Sequence, residues 1–257
     1  MRVLFGPAGS AGLGNEEGVK HTAELGLGAY ECEFTYGVKM SNSTAKQIGA
    51  LIKKYNLKAS VHAPYYINLC SAEKAKITAS KKRILQSCER GHYLNAKYIV
   101  FHSAYYGKLS PEEAFEKVKE SILDMQRTIK QKKWNVVLAP ETTGKASQFA
   151  GLDDLLKLRK ETGCEICVDF AHLYARNVGK IDYDEIFKKI KFLPHLHCHF
   201  SGITYTQKGE RAHIPLTKQF FMPLAKAIKK YKPKSIVIIN ESPSIFEDAV
   251  NMQKWLK

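Results

Sequence analysis

Val136-Val137-Leu138-Ala139-Pro140-Glu141 is a short apolar run that ends on a carboxylate. Its length and content suit a strand buried on both faces, the kind found in parallel sheets. The same figure recurs five more times. Ser60-Val61-His62, Tyr98-Ile99-Val100-Phe101-His102, Ile166-Cys167-Val168-Asp169, Leu196-His197-Cys198-His199 and Ile236-Val237-Ile238-Ile239-Asn240-Glu241 each finish on His, Asp or Glu. Two further runs, Val3–Gly6 and Ala29–Phe34, bring the strand count to eight.

Helix-period stretches lie between the strands. The clearest opens at Ser110-Pro111-Glu112-Glu113, with a capping Ser, Pro at the first helical position and Glu three residues after the cap. Phe115, Val118, Ile122, Met125 and Ile129 then form one apolar stripe. Leu152–Thr162 stops at Gly163, Phe220–Tyr231 runs up to Pro233, and Ala72–Leu94 is rich in Lys and Arg. Eight strands alternating with helices predict an α/β fold, a single (β/α)8 TIM-barrel domain over residues 1–257. An open doubly wound sheet is the alternative. No G-x-G-x-x-G follows the first strand, since Gly6, Gly9, Gly12 and Gly14 have the wrong spacing.

Barrel enzymes carry their active sites at the C-terminal strand ends. His62, His102, Glu141, Asp169, His199 and Glu241 would therefore converge on one mouth. Alone, a strand-end His is usually a hydrogen-bonded structural residue, and a strand-end Asp or Glu often caps the next helix. Recurrence at six consecutive strands is what points to a multinuclear metal site. Imidazole with carboxylate suits zinc, and also manganese or iron. Adjacent ions need a bridging carboxylate, a role for Glu141 or Glu241, the two residues expected to act in catalysis. Water acidified by a metal is a nucleophile, and a second ion can hold a phosphoryl or leaving oxygen, which fits phosphodiester hydrolysis. His172, three residues after Asp169, and His213, in the loop after the seventh strand, are further candidate ligands. His21, His92, His195 and His197 read as structural or solvent-facing.

The formal net charge is +15, from 40 Lys+Arg against 25 Asp+Glu, so a polyanionic partner fits. The basic residues of Ala72–Leu94 either flank DNA or solvate the outside of the barrel. Six scattered Cys read as buried, reduced thiols, and the lone Cys164-Glu165-Ile166-Cys167 as small residues at a strand start. No run of about 18 apolar residues marks a membrane span and no signal-peptide pattern opens the chain, so a cytoplasmic monomer with no membrane contact is expected.

The segments around these residues resemble the endonuclease IV family of apurinic/apyrimidinic endonucleases. The pieces are Val61-His62-Ala63-Pro64-Tyr65-Tyr66-Ile67-Asn68-Leu69, Phe101-His102-Ser103, Pro140-Glu141-Thr142-Thr143-Gly144, Cys167-Val168-Asp169-Phe170-Ala171-His172, His199-Phe200-Ser201-Gly202 and Glu241-Ser242-Pro243, in the family's order. The resemblance implies two or three zinc ions: His62 and His102 on the first, with Glu141 shared, Asp169, His199 and Glu241 on the second, and His172 and His213 on the third. It implies duplex DNA with abasic sites as partner, cleaved 5′ to the lesion in DNA repair, with the lesion flipped out and Tyr65 against the base stack. One position departs. Where the family's third zinc takes an Asp two residues before the loop His, Arg211-Ala212-His213 offers a cation. Glu210 could substitute only if the loop shifts, and Arg211 is otherwise expected to contact the scissile phosphate.

Two other readings stand beside this one. Glu141, Asp169, His199 and Glu241 also look like the single-metal set of xylose-isomerase-like sugar isomerases and epimerases. His62 and His102 and the basic charge argue against it. A DNA-binding relative with little catalysis is the third, resting on Arg211 alone.

Overall fold

A computed structural model describes all 257 residues. Its strands and helices follow in chain order: β1 (Arg2–Pro7), α1 (Asn15–Glu24), β2 (Ala29–Glu33), α2 (Asn42–Lys54), β3 (Lys58–His62), α3 (Lys74–Tyr93), β4 (Tyr98–Phe101), β5 (Ala104–Tyr105) and α4 (Pro111–Gln131). Then come β6 (Val137–Pro140), β7 (Gln148–Phe149), α5 (Leu152–Thr162), β8 (Cys167–Asp169), α6 (Phe170–Arg176), α7 (Tyr183–Ile190), β9 (Leu196–Phe200), β10 (Gly202–Thr206), β11 (Gly209–Ile214), α8 (Lys218–Tyr231), β12 (Ser235–Asn240) and α9 (Ile245–Leu256).

Eight parallel strands form the wall, as the sequence predicts. They make two four-stranded sheets, β2-β3-β4-β6 and β1-β12-β9-β8. Parallel bridges Ala8↔Glu31 and Glu141↔Cys167 join the sheets and close the barrel. Glu141 thus sits on a seam, where its backbone donates to Phe101 and its strand has just ended. Every connection runs forward to a neighbouring strand, so all eight strands point the same way and share one C-terminal mouth.

The outer helices form for local reasons. At α4, Ser110 Oγ accepts from Glu113 N (3.1 Å) and Glu113 Oε2 accepts from Ser110 N (2.8 Å). Such a cap is worth about 1 kcal/mol. Its stripe of Phe115, Val118, Ile122, Met125 and Ile129 is buried against the barrel, each side chain contributing roughly 1.5–3 kcal/mol. Gly163 stops α5 in the left-handed region, at φ 72°. The short antiparallel pairs β5–β7 and β10–β11 lie beyond the wall strands and build up the mouth. No helix is long and apolar enough to cross a membrane.

Candidate metal centre

Three groups of ligand-type side chains cluster at the mouth. They are His62, His102 and Glu141; Glu141, Asp169, His199 and Glu241; and His172, Glu210 and His213. All eight residues named above as candidate ligands fall in these groups, and Glu210 joins them.

Glu141 is the hub. It is fully buried. Oε2 lies 3.2 Å from His62 Nε2 and 3.0 Å from His102 Nε2, while Oε1 lies 3.1 Å from His199 Nδ1. One carboxylate therefore reaches into two of the groups, the geometry a bridging ligand requires. Burial opposes its charge, but the imidazoles of His199 and His102 hold the carboxyl well below the usual carboxylate range.

Asp169 has two duties, and the local fold separates them. It caps α6, its Oδ1 accepting from His172 N at 2.7 Å. That leaves Oδ2 buried without a partner. Glu241 Oε2 is likewise buried and unpartnered, and Oε1 lies 3.1 Å from His199 Nδ1. Unpartnered buried carboxylate oxygens are costly unless something cationic meets them. Burial, with repulsion from Glu241 and Glu141, raises the Asp169 carboxyl to about 7.

The histidines are oriented by the backbone. Nδ1 of His62 donates to Ala63 O (2.8 Å), Nδ1 of His172 to Thr142 O (3.1 Å) and Nδ1 of His213 to Glu241 O (3.0 Å). These bonds make Nδ1 the donor to the backbone, and in each case Nε2, the nitrogen left for a metal or a proton, faces the cluster. His172 Nε2 and His213 Nε2 stand 3.4 Å apart, with Glu210 Oε2 3.6 Å from His172 Nε2. Acceptors facing acceptors at that range need a proton or a cation between them. Without a metal, protons serve: burial would lower the His62 imidazole, yet Glu33 and Glu141 carry it up to about 10, and His172 and His199 are raised too. The donor set, the tautomers and the orphaned oxygens all fit divalent ions.

Glu210 reaches the third group through a register slip. In the β10–β11 hairpin His213 pairs with Ile203 and Ala212 with Thr204, but the next pair is Tyr205 with Glu210. Arg211 is the extra residue of a β-bulge. Without it, residue 211 would share the face of His213; with it, Glu210 does. Arg211 is exposed. Gly144 makes room, since a Cβ there would come within 2.6 Å of Glu210 Cβ. Gly144 O also accepts from Glu210 N at 2.9 Å.

Two carboxylates on β2 escape a reading of strand ends. Glu31 is fully buried, with Oε2 bonded to His197 Nε2 (3.1 Å) and Oε1 2.9 Å from His199 Nε2. It stands behind a candidate metal ligand, the position from which a carboxylate orients imidazole. Glu33 pairs in register with His62, and its Oε1 is buried and unpartnered. Burial raises its carboxyl to about 8. The alternation Glu31-Cys32-Glu33 was the available signal. Cys167 also approaches His197 and His199, but burial pushes its thiol up, away from the thiolate a metal would take.

Around the mouth Tyr36, Tyr65, Tyr66 and Tyr105 are exposed, at 77%, 56%, 63% and 47%, so none is core packing. Tyr65, Tyr66 and Tyr105 line a cavity of about 500 Å³ together with Lys76 and Arg83 of α3.

Residues 19–257 match the family described as xylose isomerase-like TIM barrel. An uncharacterised protein of Methanocaldococcus jannaschii is 37% identical over 272 residues, covering 99% of this chain and 97% of its own. A probable endonuclease 4 of Mycoplasmopsis synoviae is 30% identical over 198 residues, covering 72% of this chain and 69% of its own. Among solved structures, endonuclease IV from Thermus thermophilus superposes with a TM-score of 0.69 at 21% identity, over 100% of this chain and 99% of that one. D-psicose 3-epimerase superposes with a TM-score of 0.72 at 15% identity, over 99% and 98%. At these identities the superpositions speak for the barrel alone.

Proposed function

The chain belongs to the xylose isomerase-like TIM barrel family, with endonuclease IV proteins among its relatives, and on that premise we propose that it is a metal-dependent endonuclease cutting the phosphodiester 5′ to abasic sites in duplex DNA. The observation that carries the reading is the third group. His172, Glu210 and His213 form a complete ligand set beside the other two, and the sharing of Glu141 ties the first pair together. A trinuclear arrangement has a use where charge builds on several oxygens of one phosphate.

In this reading His62, His102 and Glu141 hold one ion, Glu141, Asp169, His199 and Glu241 a second, and His172, Glu210 and His213 a third. Zinc suits the donors, with manganese or iron as substitutes. Such ions supply an acidified water and neutralise charge on phosphoryl oxygens. The chain's own groups do the rest. Glu141 and Glu241 fix the spacing of the ligand groups and are positioned to take a proton. The backbone-held imidazoles keep their Nε2 atoms on the scissile phosphate's side of the mouth. Tyr65, Tyr66 and Tyr105 offer faces for unstacked bases, and Lys76 and Arg83 offer charge for the backbone. Tyr65, exposed at the mouth, would lie against the base stack beside a flipped lesion. Arg211, exposed on the bulge, is directed to DNA phosphate rather than to a metal. The protein acts as a monomer.

The second reading, a single-metal sugar epimerase, is favoured by the four-residue group of Glu141, Asp169, His199 and Glu241, which is sufficient for one ion. It leaves His62, His102, His172, Glu210 and His213 without work. Incubating one metal-loaded sample with an abasic duplex and, separately, with a ketohexose distinguishes the two. Cleavage without sugar epimerisation is the expected result, and the converse overturns the proposal.

A further inference from the structure

The opposite end of the barrel holds a second cavity, of about 510 Å³, within the usual size of a small-molecule site. It is built from the starts of five wall strands. Leu4, Leu57, Ala59, Leu196 and Val237 make its inner wall, and Arg2, Lys58 and Lys97 stand on its rim. Its lining includes no Asp or Glu. Arg2, Lys58 and Lys97 make no ion pair, and Glu165 beside Tyr98 is held by Arg159 in a two-pronged contact of 2.9 and 3.1 Å.

Two imidazoles in the lining are set by the fold. Asn135 N donates to His92 Nδ1 (3.2 Å), which leaves Nε2–H of His92 as a donor. His197 is 3% exposed at the inner end, stacked on Tyr98 at 5.0 Å, with Nε2 taken by Glu31 and Nδ1 without a protein partner. A cavity with an apolar floor, a stacked pair of rings, a buried polar edge and three unpaired cations at its lip has the make-up of a site for an anion with a body. One Arg fork with two ammonium groups suits a doubly charged phosphate better than a single carboxylate.

We propose that this N-terminal cavity is a second binding site, separate from the metal mouth, for a small organic phosphate whose charged group pairs with Arg2, Lys58 and Lys97 and whose planar body lies on the apolar wall toward Tyr98 and His197. The test is calorimetric titration of the metal-loaded full chain with AMP, with inorganic phosphate as the probe lacking a body. AMP binds roughly tenfold or more tighter than phosphate, Lys58→Glu/Lys97→Glu weakens AMP by at least about tenfold, and Glu141→Gln leaves AMP affinity unchanged. The double variant should retain its melting midpoint and metal content because both lysines are exposed. Arg2→Glu gives an independent reading of the rim if it does not. Absence of AMP binding at about 1 mM, loss of binding in Glu141→Gln, or indifference to the rim substitutions would each overturn the assignment.

Discussion

Glu210 faces His172 because Arg211 does not count in the hairpin register. The bulge uses one residue of β11 for nothing but a turn of face, and the carboxylate arrives 3.6 Å from His172 Nε2. The same event that looks in the sequence like a missing ligand supplies one from the neighbouring position.

Metal content should follow Glu210 and ignore Arg211. Glu210→Ala is expected to drop the count by one ion per chain, and Arg211→Ala to leave it alone. Deleting residue 211 removes the bulge but leaves Glu210 opposite Tyr205, two ladder positions from His213 and on the same face, so this protein should also keep its full count. Elemental analysis of the four proteins reads this directly; equal content in wild type and Glu210→Ala would refute the ligand role.

Gly144→Ala should act on the same site from the other side. Its Cβ would meet Glu210 at 2.6 Å and His172 Cδ2 at 3.1 Å. The expected result is weaker binding of one ion with the other two retained, measured by chelator competition. Unchanged affinity at all sites would show that Glu210 can move aside without consequence.

Glu31→Gln tests the carboxylate behind His199. The amide keeps the size but loses the charge that faces His199 Nε2 at 2.9 Å. A loss of about 10–100-fold in affinity for the ion on His199 is expected, with a smaller effect at the other sites. Restoration by Glu31→Asp, even in part, would separate orientation from simple packing. No change in affinity would leave Glu31 as a structural partner of His197 only.

Protonation and metal loading should oppose each other. In chelated protein, Asp169 is raised from 3.8 to about 7, so its contribution to stability is present at low pH and fades as pH climbs through that window. His62 is raised from 6.5 to about 10, so its share is full below 6.5 and lost as pH rises through 10. The chelated protein should therefore melt lower at a pH of about 9 than at about 6. Metal must displace these protons, so the stabilisation added by zinc should grow over the same range. A chelated protein that melts higher at the more alkaline pH would contradict this.

Much of the mouth could be read in the chain alone, because parallel barrel strands are short apolar runs and the residue that ends each one must face the site. The sequence predicted the barrel and the membership of His62, His102, Glu141, Asp169, His199 and Glu241 in one cluster for that reason. Glu31 and Glu33 were less legible. A carboxylate alternating with apolar residues inside a strand looks like a solvent face, and only barrel closure shows that their side points inward. The bulge at Arg211 is a matter of pairing between two strands and has no composition of its own. The N-terminal cavity draws on residues from Arg2 to Val237, so no local stretch announces it.

Abasic-site cleavage by the metal centre is tested by incubating the zinc-loaded protein, beside Glu141→Gln, with an end-labelled duplex carrying one abasic-site analogue. A single cut 5′ to the lesion that leaves a 3′-hydroxyl is expected, with a rate at least about a hundredfold lower in the variant. An intact duplex at full metal loading, or cutting that Glu141→Gln performs equally well, would contradict that assignment.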